Sequence, residues 1–234
     1  MADVPNKRVA LVAGASGLTG GLLLRMLLEA PDYARVHALS RRPLPFDHVR
    51  LANRIMPLEE AGKRLTGFTC HDAFCCIGST RKEAGSDAEL RRVDVDLAVT
   101  FARAALACGA QRLVVLSSAG ASPASRYPYL RNKAEMERIL RTLRFASLDI
   151  LQPGMLMGLR REVRPLELLG MALSPLARPF LTGPRAAWRS IAARDVAAAM
   201  IGAARSMRRG VYVYAGESLA GLARAGHKTD VVPQ

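Results

Sequence analysis

The chain has 234 residues, 34 Lys and Arg against 20 Asp and Glu, a formal net charge of +14, and half its residues hydrophobic. That length and apolar content exclude intrinsic disorder and a fold that depends on disulfides or metal. The charge permits nucleic acid, an anionic membrane or a phosphorylated ligand as partner, and says nothing of the fold.

The first half alternates short apolar runs with helical patterns. Val9–Ala13 reads as a buried strand; Lys7-Arg8 before it mimic a signal peptide, but Gly14, Gly17, Gly20 and Gly21 interrupt the apolar stretch. Leu22–Leu28 reads as a helix, Arg35–Ser40 as a second strand, Ala52–Met56 as a third and Asp72–Ile77 as a fourth. Asp87–Cys108 forms one long amphipathic helix closed by Gly109. Leu113–Ser117 is a strand, Tyr129–Leu143 a helix, and Ser147–Gln152 a strand stopped by Pro153-Gly154. Residues 155–190, rich in Pro, Leu and Arg, show no clear period. Val196–Arg205 reads as a helix, Val211–Tyr214 as a short strand, and the polar tail from Gly221 as loosely held.

This alternation gives an α/β chain with a Rossmann-like, doubly wound parallel sheet and a small C-terminal substrate lobe. It is one domain, with a core over about residues 7–153 and a lobe over about 154–220. The cysteines Cys70, Cys75, Cys76 and Cys108 lack CxxC spacing, so no metal site is expected, and buried reduced thiols point to a cytoplasmic protein. No apolar run reaches the roughly 18 residues of a membrane helix. No helix-turn-helix, zinc-finger or RNP pattern supports a specific nucleic-acid partner. The long helix offers a face for a homodimer.

Gly14-Ala15-Ser16-Gly17-Leu18-Thr19-Gly20 follows a strand and opens a helix. Glycine permits the tight turn, close backbone approach to a pyrophosphate and close helix–strand packing, while the helix N-terminus faces the phosphates. Ser40-Arg41-Arg42 ends the second strand with two arginines and no carboxylate until Asp47. That composition favours the 2′-phosphate of NADP over the ribose hydroxyl of NAD. In Tyr129-Leu130-Arg131-Asn132-Lys133 the phenol and the ammonium share a helix face, and a nearby cation favours the phenolate. The pair suits proton transfer to or from a substrate oxygen. Leu116-Ser117-Ser118 ends the preceding strand and offers a hydroxyl to the same oxygen.

Together these stretches resemble an atypical short-chain dehydrogenase/reductase, and within that superfamily the Tat-interacting-protein-like oxidoreductase group. The resemblance also rests on Phe74-Cys75-Cys76-Ile77-Gly78-Ser79-Thr80-Arg81, Arg92-Val93-Asp94 and Gln152-Pro153-Gly154-Met155-Leu156, and runs in order to about residue 165. It implies NADPH bound by Gly14, Ser16, Gly17, Leu18, Thr19 and Gly20, with Arg41 and Arg42 on the 2′-phosphate. The run Cys76, Ile77, Gly78, Ser79 and Thr80 would line the cofactor, with Ser117 and Lys133 beside it and Pro153, Gly154 and Met155 near the nicotinamide. Ser118, Tyr129 and Lys133 would form the catalytic set, with Ser117 competing for the serine role. Two departures stand out. Pro57 follows the third strand where the family often has an acid, leaving backbone or Leu58 for the adenine, and the asparagine of the usual tetrad has no counterpart. The expected function is NADP(H)-dependent oxidoreduction of a small, apolar carbonyl or alcohol, walled by the apolar stretch 166–173. The alternative is a cofactor-binding regulator with little turnover.

Overall fold

A computed structural model describes residues 7–154, 156–157 and 190–227. Buried apolar runs form the strands. β1 (Arg8–Ala13) lies between β2 (Tyr33–Ser40) and β4 (Asp72–Cys75), and β3 (Leu51–Ile55) extends the β2 side. β5 (Arg112–Leu116), β6 (Ser147–Leu151) and β9 (Gly210–Tyr214) extend the other side, giving a seven-stranded sheet in the order β3-β2-β1-β4-β5-β6-β9 with every pairing parallel. A second, two-stranded parallel sheet joins β7 (Leu156–Met157) to β8 (Ile191–Ala192).

Alternate residues of each strand feed opposite layers, because successive side chains leave a strand on opposite faces. Ala10, Val12, Val36, Ala38 and Phe74 pack with helices α1 (Leu18–Glu29) and α7 (Ala193–Arg205). Leu11, Ala13, Ala73, Cys75, Leu113 and Val115 pack with α5 (Ala98–Ala107) and α6 (Pro128–Leu140). The sheet is therefore covered on both faces, as its nearly uninterrupted apolar strands require. Short helical pieces, α2 (Ala61–Arg64) and α3 (Arg81–Ala84), occupy the connections.

Two expected elements differ. The helix read as continuous from Asp87 to Cys108 is three pieces: α4 (Asp87–Arg91), a π-helical turn over Arg92–Leu97, and α5. The wider turn rotates Asp94 inward, where it is wholly buried. The tail from Gly221 belongs to α8 (Glu217–His227), which buries Leu219, Ala223 and Gly226. Leu219, Leu222 and Ala223 recur at helical spacing, and glycine lets the backbones meet. A Cβ on Gly202 would overlap the Leu222 carbonyl, and one on Gly226 the Ala198 carbonyl. About half of the expected lobe, including the apolar stretch 166–173, lies outside the described residues. No helix among the described residues is long and apolar enough to cross a membrane.

Candidate active site

The carboxyl ends of β1, β4 and β5 open into a crevice of about 530 Å³. Its first wall is the glycine turn. Gly14 has φ +84°, and a Cβ there would stand 2.6 Å from the Cys76 carbonyl; only glycine fits both the dihedral and the space. A Cβ on Gly20 would overlap the Gly14 carbonyl, so α1 lies directly on the turn. The Gly17 amide donates to the Gly14 carbonyl at 3.0 Å. Gly17 is also the N-cap of α1 and supplies no capping side chain. The first-turn amides and the positive end of the helix dipole are thus presented with no acidic side chain in that turn. Ser16, Gly17, Leu18, Thr19 and Gly20 all line the crevice, with Gly14 beneath them.

The second wall continues from β4. Cys76, Ile77, Gly78, Ser79 and Thr80 line it, and Thr80 ends it by capping α3 in a reciprocal box with Glu83. Burial pushes the Cys75 thiol up to about 11 and raises Cys76 as well. Neither thiol is disposed to act as a nucleophile at neutral pH.

Helix α6 supplies the third wall. Tyr129 and Lys133 both line the crevice, with the Lys133 ammonium 5.8 Å from the Tyr129 ring centroid. Lys133 is 1% exposed. Its Nζ donates to the Ile77 carbonyl at 3.2 Å and the Leu116 carbonyl at 3.5 Å, and stands 3.6 Å from Asp94 Oδ1. Burial alone would lower the Lys133 pKa, but the negative charges facing it, Asp94 first, raise it. Asp94 also accepts the Ser79 amide at 3.1 Å, while its Oδ2 is buried without a hydrogen-bond partner among the described residues. Burial raises the Asp94 carboxyl, against the pull of Lys133.

Sequence reasoning gave no role to two acids, Asp94 and Glu137. Asp94 lies on the apolar stripe Leu90, Asp94, Leu97, Phe101, and a carboxylate there was the available signal. Glu137 continues the four-residue spacing of Tyr129 and Lys133. It accepts the Ser117 hydroxyl and, at 2.8 Å, the Gln152 amide.

The remaining expected residues are spread more widely. Ser117 lines the crevice, whereas Ser118 stands off it, its hydroxyl donating to the Ala119 carbonyl at 3.2 Å. Arg41 and Arg42 are exposed just past β2, outside the crevice wall. The Ser40 hydroxyl holds their turn by donating to the Arg42 carbonyl at 2.7 Å. Leu58 is packed against the core rather than open to the crevice. Pro153 and Gly154 follow β6, with the Pro153 carbonyl accepting the Ala119 amide at 2.9 Å; neither lines the crevice. Met155 lies outside the described residues.

A family model described as NAD(P)H-binding matches residues 14–206. The chain belongs to that family. The rat protein HTATIP2 is 35% identical over 189 residues, which are 79% of this chain and 74% of the relative. The resemblance to the Tat-interacting-protein-like group is therefore borne out. The mitochondrial protein FMP52 of Coccidioides immitis is 31% identical over 242 residues, covering 93% of this chain and 97% of the relative. Among solved structures, the WbmG enzyme of Bordetella bronchiseptica in complex with NAD superposes with a TM-score of 0.67 at 15% identity, over 92% of this chain and 74% of that one. MoeE5 with UDP-glucose and NAD gives 0.64 at 21% identity, over 92% and 80%. These share the fold. The expected cytoplasmic location is overturned: the FMP52 relatives of Saccharomyces cerevisiae, Coccidioides immitis and Eremothecium gossypii are all named mitochondrial. Buried reduced thiols fit any reducing compartment and do not select the cytoplasm.

Proposed function

We propose that the chain is an NADP(H)-dependent oxidoreductase acting on a small, apolar carbonyl or alcohol. The observation that carries this reading is the meeting of Tyr129 and the buried Lys133 with the glycine turn in one crevice. The cradle suits a dinucleotide: its floor is backbone that a Cβ at Gly14 or Gly20 would fill, and an uncapped helix end faces it. Residues 7–153 hold the cofactor, and the chain from about 154 to 220 shapes the substrate pocket.

Bound NADPH supplies the hydride. Tyr129 gives its phenolic proton to the substrate oxygen, and Lys133, fixed by two carbonyls and Asp94, stabilises the phenolate left behind. Ser117, on the crevice wall, is the serine of the set in place of Ser118. Its proton is committed to Glu137, so its oxygen accepts from the product hydroxyl. Arg41 and Arg42 take the 2′-phosphate in charge-assisted pairs at the end of β2.

Two variants test the reading. Tyr129→Phe, assayed on a carbonyl panel, loses turnover at least a hundredfold while NADPH binding by fluorescence persists; unchanged turnover removes Tyr129 from the mechanism. The double variant R41S/R42S weakens NADPH by about tenfold or more and leaves NADH unchanged, each charged hydrogen bond being worth about 1.5–3 kcal/mol. Equal loss for both cofactors would deny the arginines a role in selection.

A further inference from the structure

The amino ends of the strands, on the margin of the sheet opposite the crevice, enclose a second cavity of about 220 Å³. Three separated segments bring arginines to it: Arg8 opens β1, Arg112 opens β5, and Arg208 and Arg209 precede β9. Strand register lines up Asp72, Arg112, Ser147 and Gly210 across the floor.

Among the described residues, four arginines line the cavity with one carboxylate, Asp72, and a second, Asp149, lies near Arg112 and Arg208; both carboxylates are already engaged. Asp72 meets Arg8 at 2.8 Å and Arg112 at 2.9 Å, and accepts the Tyr33 hydroxyl at 2.8 Å. Asp149 accepts the Ser147 hydroxyl at 2.8 Å and the Tyr214 hydroxyl at 3.1 Å. The margin therefore keeps a positive surplus and spare N–H donors. One is Arg112 Nε, buried without a hydrogen-bond partner among the described residues.

The loop bearing Arg208 and Arg209 is held at a conformational cost. Met207, with φ 51°, is the one non-glycine residue of positive φ among the described residues; such strain persists only where surrounding structure maintains it, and it gathers at functional sites. Arg208 is held in turn, its Nη2 donating to the Tyr214 hydroxyl at 3.1 Å and its guanidinium 4.7 Å from the Tyr212 ring centroid. Fixed guanidinium forks suit an anion with several oxygens. The cavity has under half the volume of the crevice, too little for a dinucleotide.

We propose that this cavity binds a small phosphate-type oxyanion, free or as the end of a phosphomonoester, independently of the crevice. The proposal does not rest on the cofactor reading. Its test is thermal shift and calorimetry on the full chain with saturating NADPH, titrated with sodium phosphate, with glycerol 3-phosphate, and with sodium chloride at matched ionic strength. Phosphate is expected to give a saturable rise in melting temperature beyond that of chloride. Its affinity should fall at least tenfold in R208S/R209S and stay unchanged in R41S/R42S. Tighter binding of the monoester identifies a phosphorylated metabolite as the ligand, and equal binding identifies free phosphate. If the double variant melts below the wild type without ligand, Arg209→Ser, an exposed single change, replaces it. A response equal to that of chloride, or one retained in the Arg208 and Arg209 variants, overturns the proposal.

Discussion

Asp94→Asn removes one charge from beside Lys133 and almost no volume, and an amide oxygen can still accept the Ser79 N–H. A unit pair at 3.6 Å attracts by about 5 kcal/mol at an effective dielectric constant of about 20. Desolvation of both groups offsets much of this, yet stripping one partner from a buried pair costs about 3–5 kcal/mol, because the other charge is left uncompensated. A loss of about 3 kcal/mol at pH 7 is expected, or about 6–12 °C in melting temperature for a chain of this size. The sign of the pH dependence follows from the groups facing the ammonium: Asp94 from the π turn, Tyr129 from α6 and Cys75 from β4. In the wild type they raise the Lys133 pKa against burial, so its contribution to stability is present below the unfolded lysine value and lost only at strongly alkaline pH. In Asp94→Asn burial prevails and the folded pKa falls below the unfolded one. The unfolded state then binds more protons, and stability recovers as pH rises toward 10. Urea denaturation at pH 7 and pH 9.5 reads the deficit, and a titration of ¹³Cε-labelled lysine, assigned with Lys133→Met, reads the midpoint. A deficit that is constant between the two pH values, with an unshifted Lys133 midpoint, would refute the pairing.

Other outcomes follow from the same packing. His37 is buried between Arg54 and Arg35, and burial chiefly lowers its pKa to about 4. It folds neutral, so the stability it contributes is present above its unfolded value near 6.5 and lost as pH falls toward 4. About 2 kcal/mol should disappear between pH 8 and pH 5. His37→Gln should flatten that part of the stability–pH curve, and a curve parallel to the wild type would contradict the assignment. Gly202→Ala places a methyl on the Leu222 carbonyl and should cost about 1–3 kcal/mol, with α8 becoming the first site of limited proteolysis. An unchanged melting temperature would mean that the two helices pack less closely than described.

The sheet was legible because each buried parallel strand is a short apolar run between turn residues, and these runs survive small errors at their ends. Val211–Tyr214 and Ala52–Met56 differ from the observed strands by single residues at their ends. The π turn was not legible, since one extra residue in a helical turn leaves the apolar stripe nearly continuous. α8 was not legible beyond Gly221 because the tail is polar and carries glycines, whereas Gly226 is where two backbones meet. Ser117 and Ser118 were undecidable in sequence, because neighbouring residues at a strand end point to opposite faces and only the register tells which is which. The Tyr129–Lys133 pair was readable from its spacing. The acids that hold its surroundings, Asp94 and Glu137, come from a separate helical turn and from the next turn of α6, and tertiary structure alone joins them to Lys133 and Ser117.

The central claim is hydride transfer in the crevice, and deuterium tracing addresses it directly. Purified protein is incubated with NADPH deuterated at nicotinamide C4, on each face in turn, together with a panel of small apolar aldehydes and ketones. The expected result is deuterium on the carbinol carbon of the product from one face only, lost in Tyr129→Phe although that variant still binds NADPH. Tight NADPH binding with no deuterium transferred to any carbonyl, from either face, would contradict the oxidoreductase reading and leave a cofactor-binding protein without turnover.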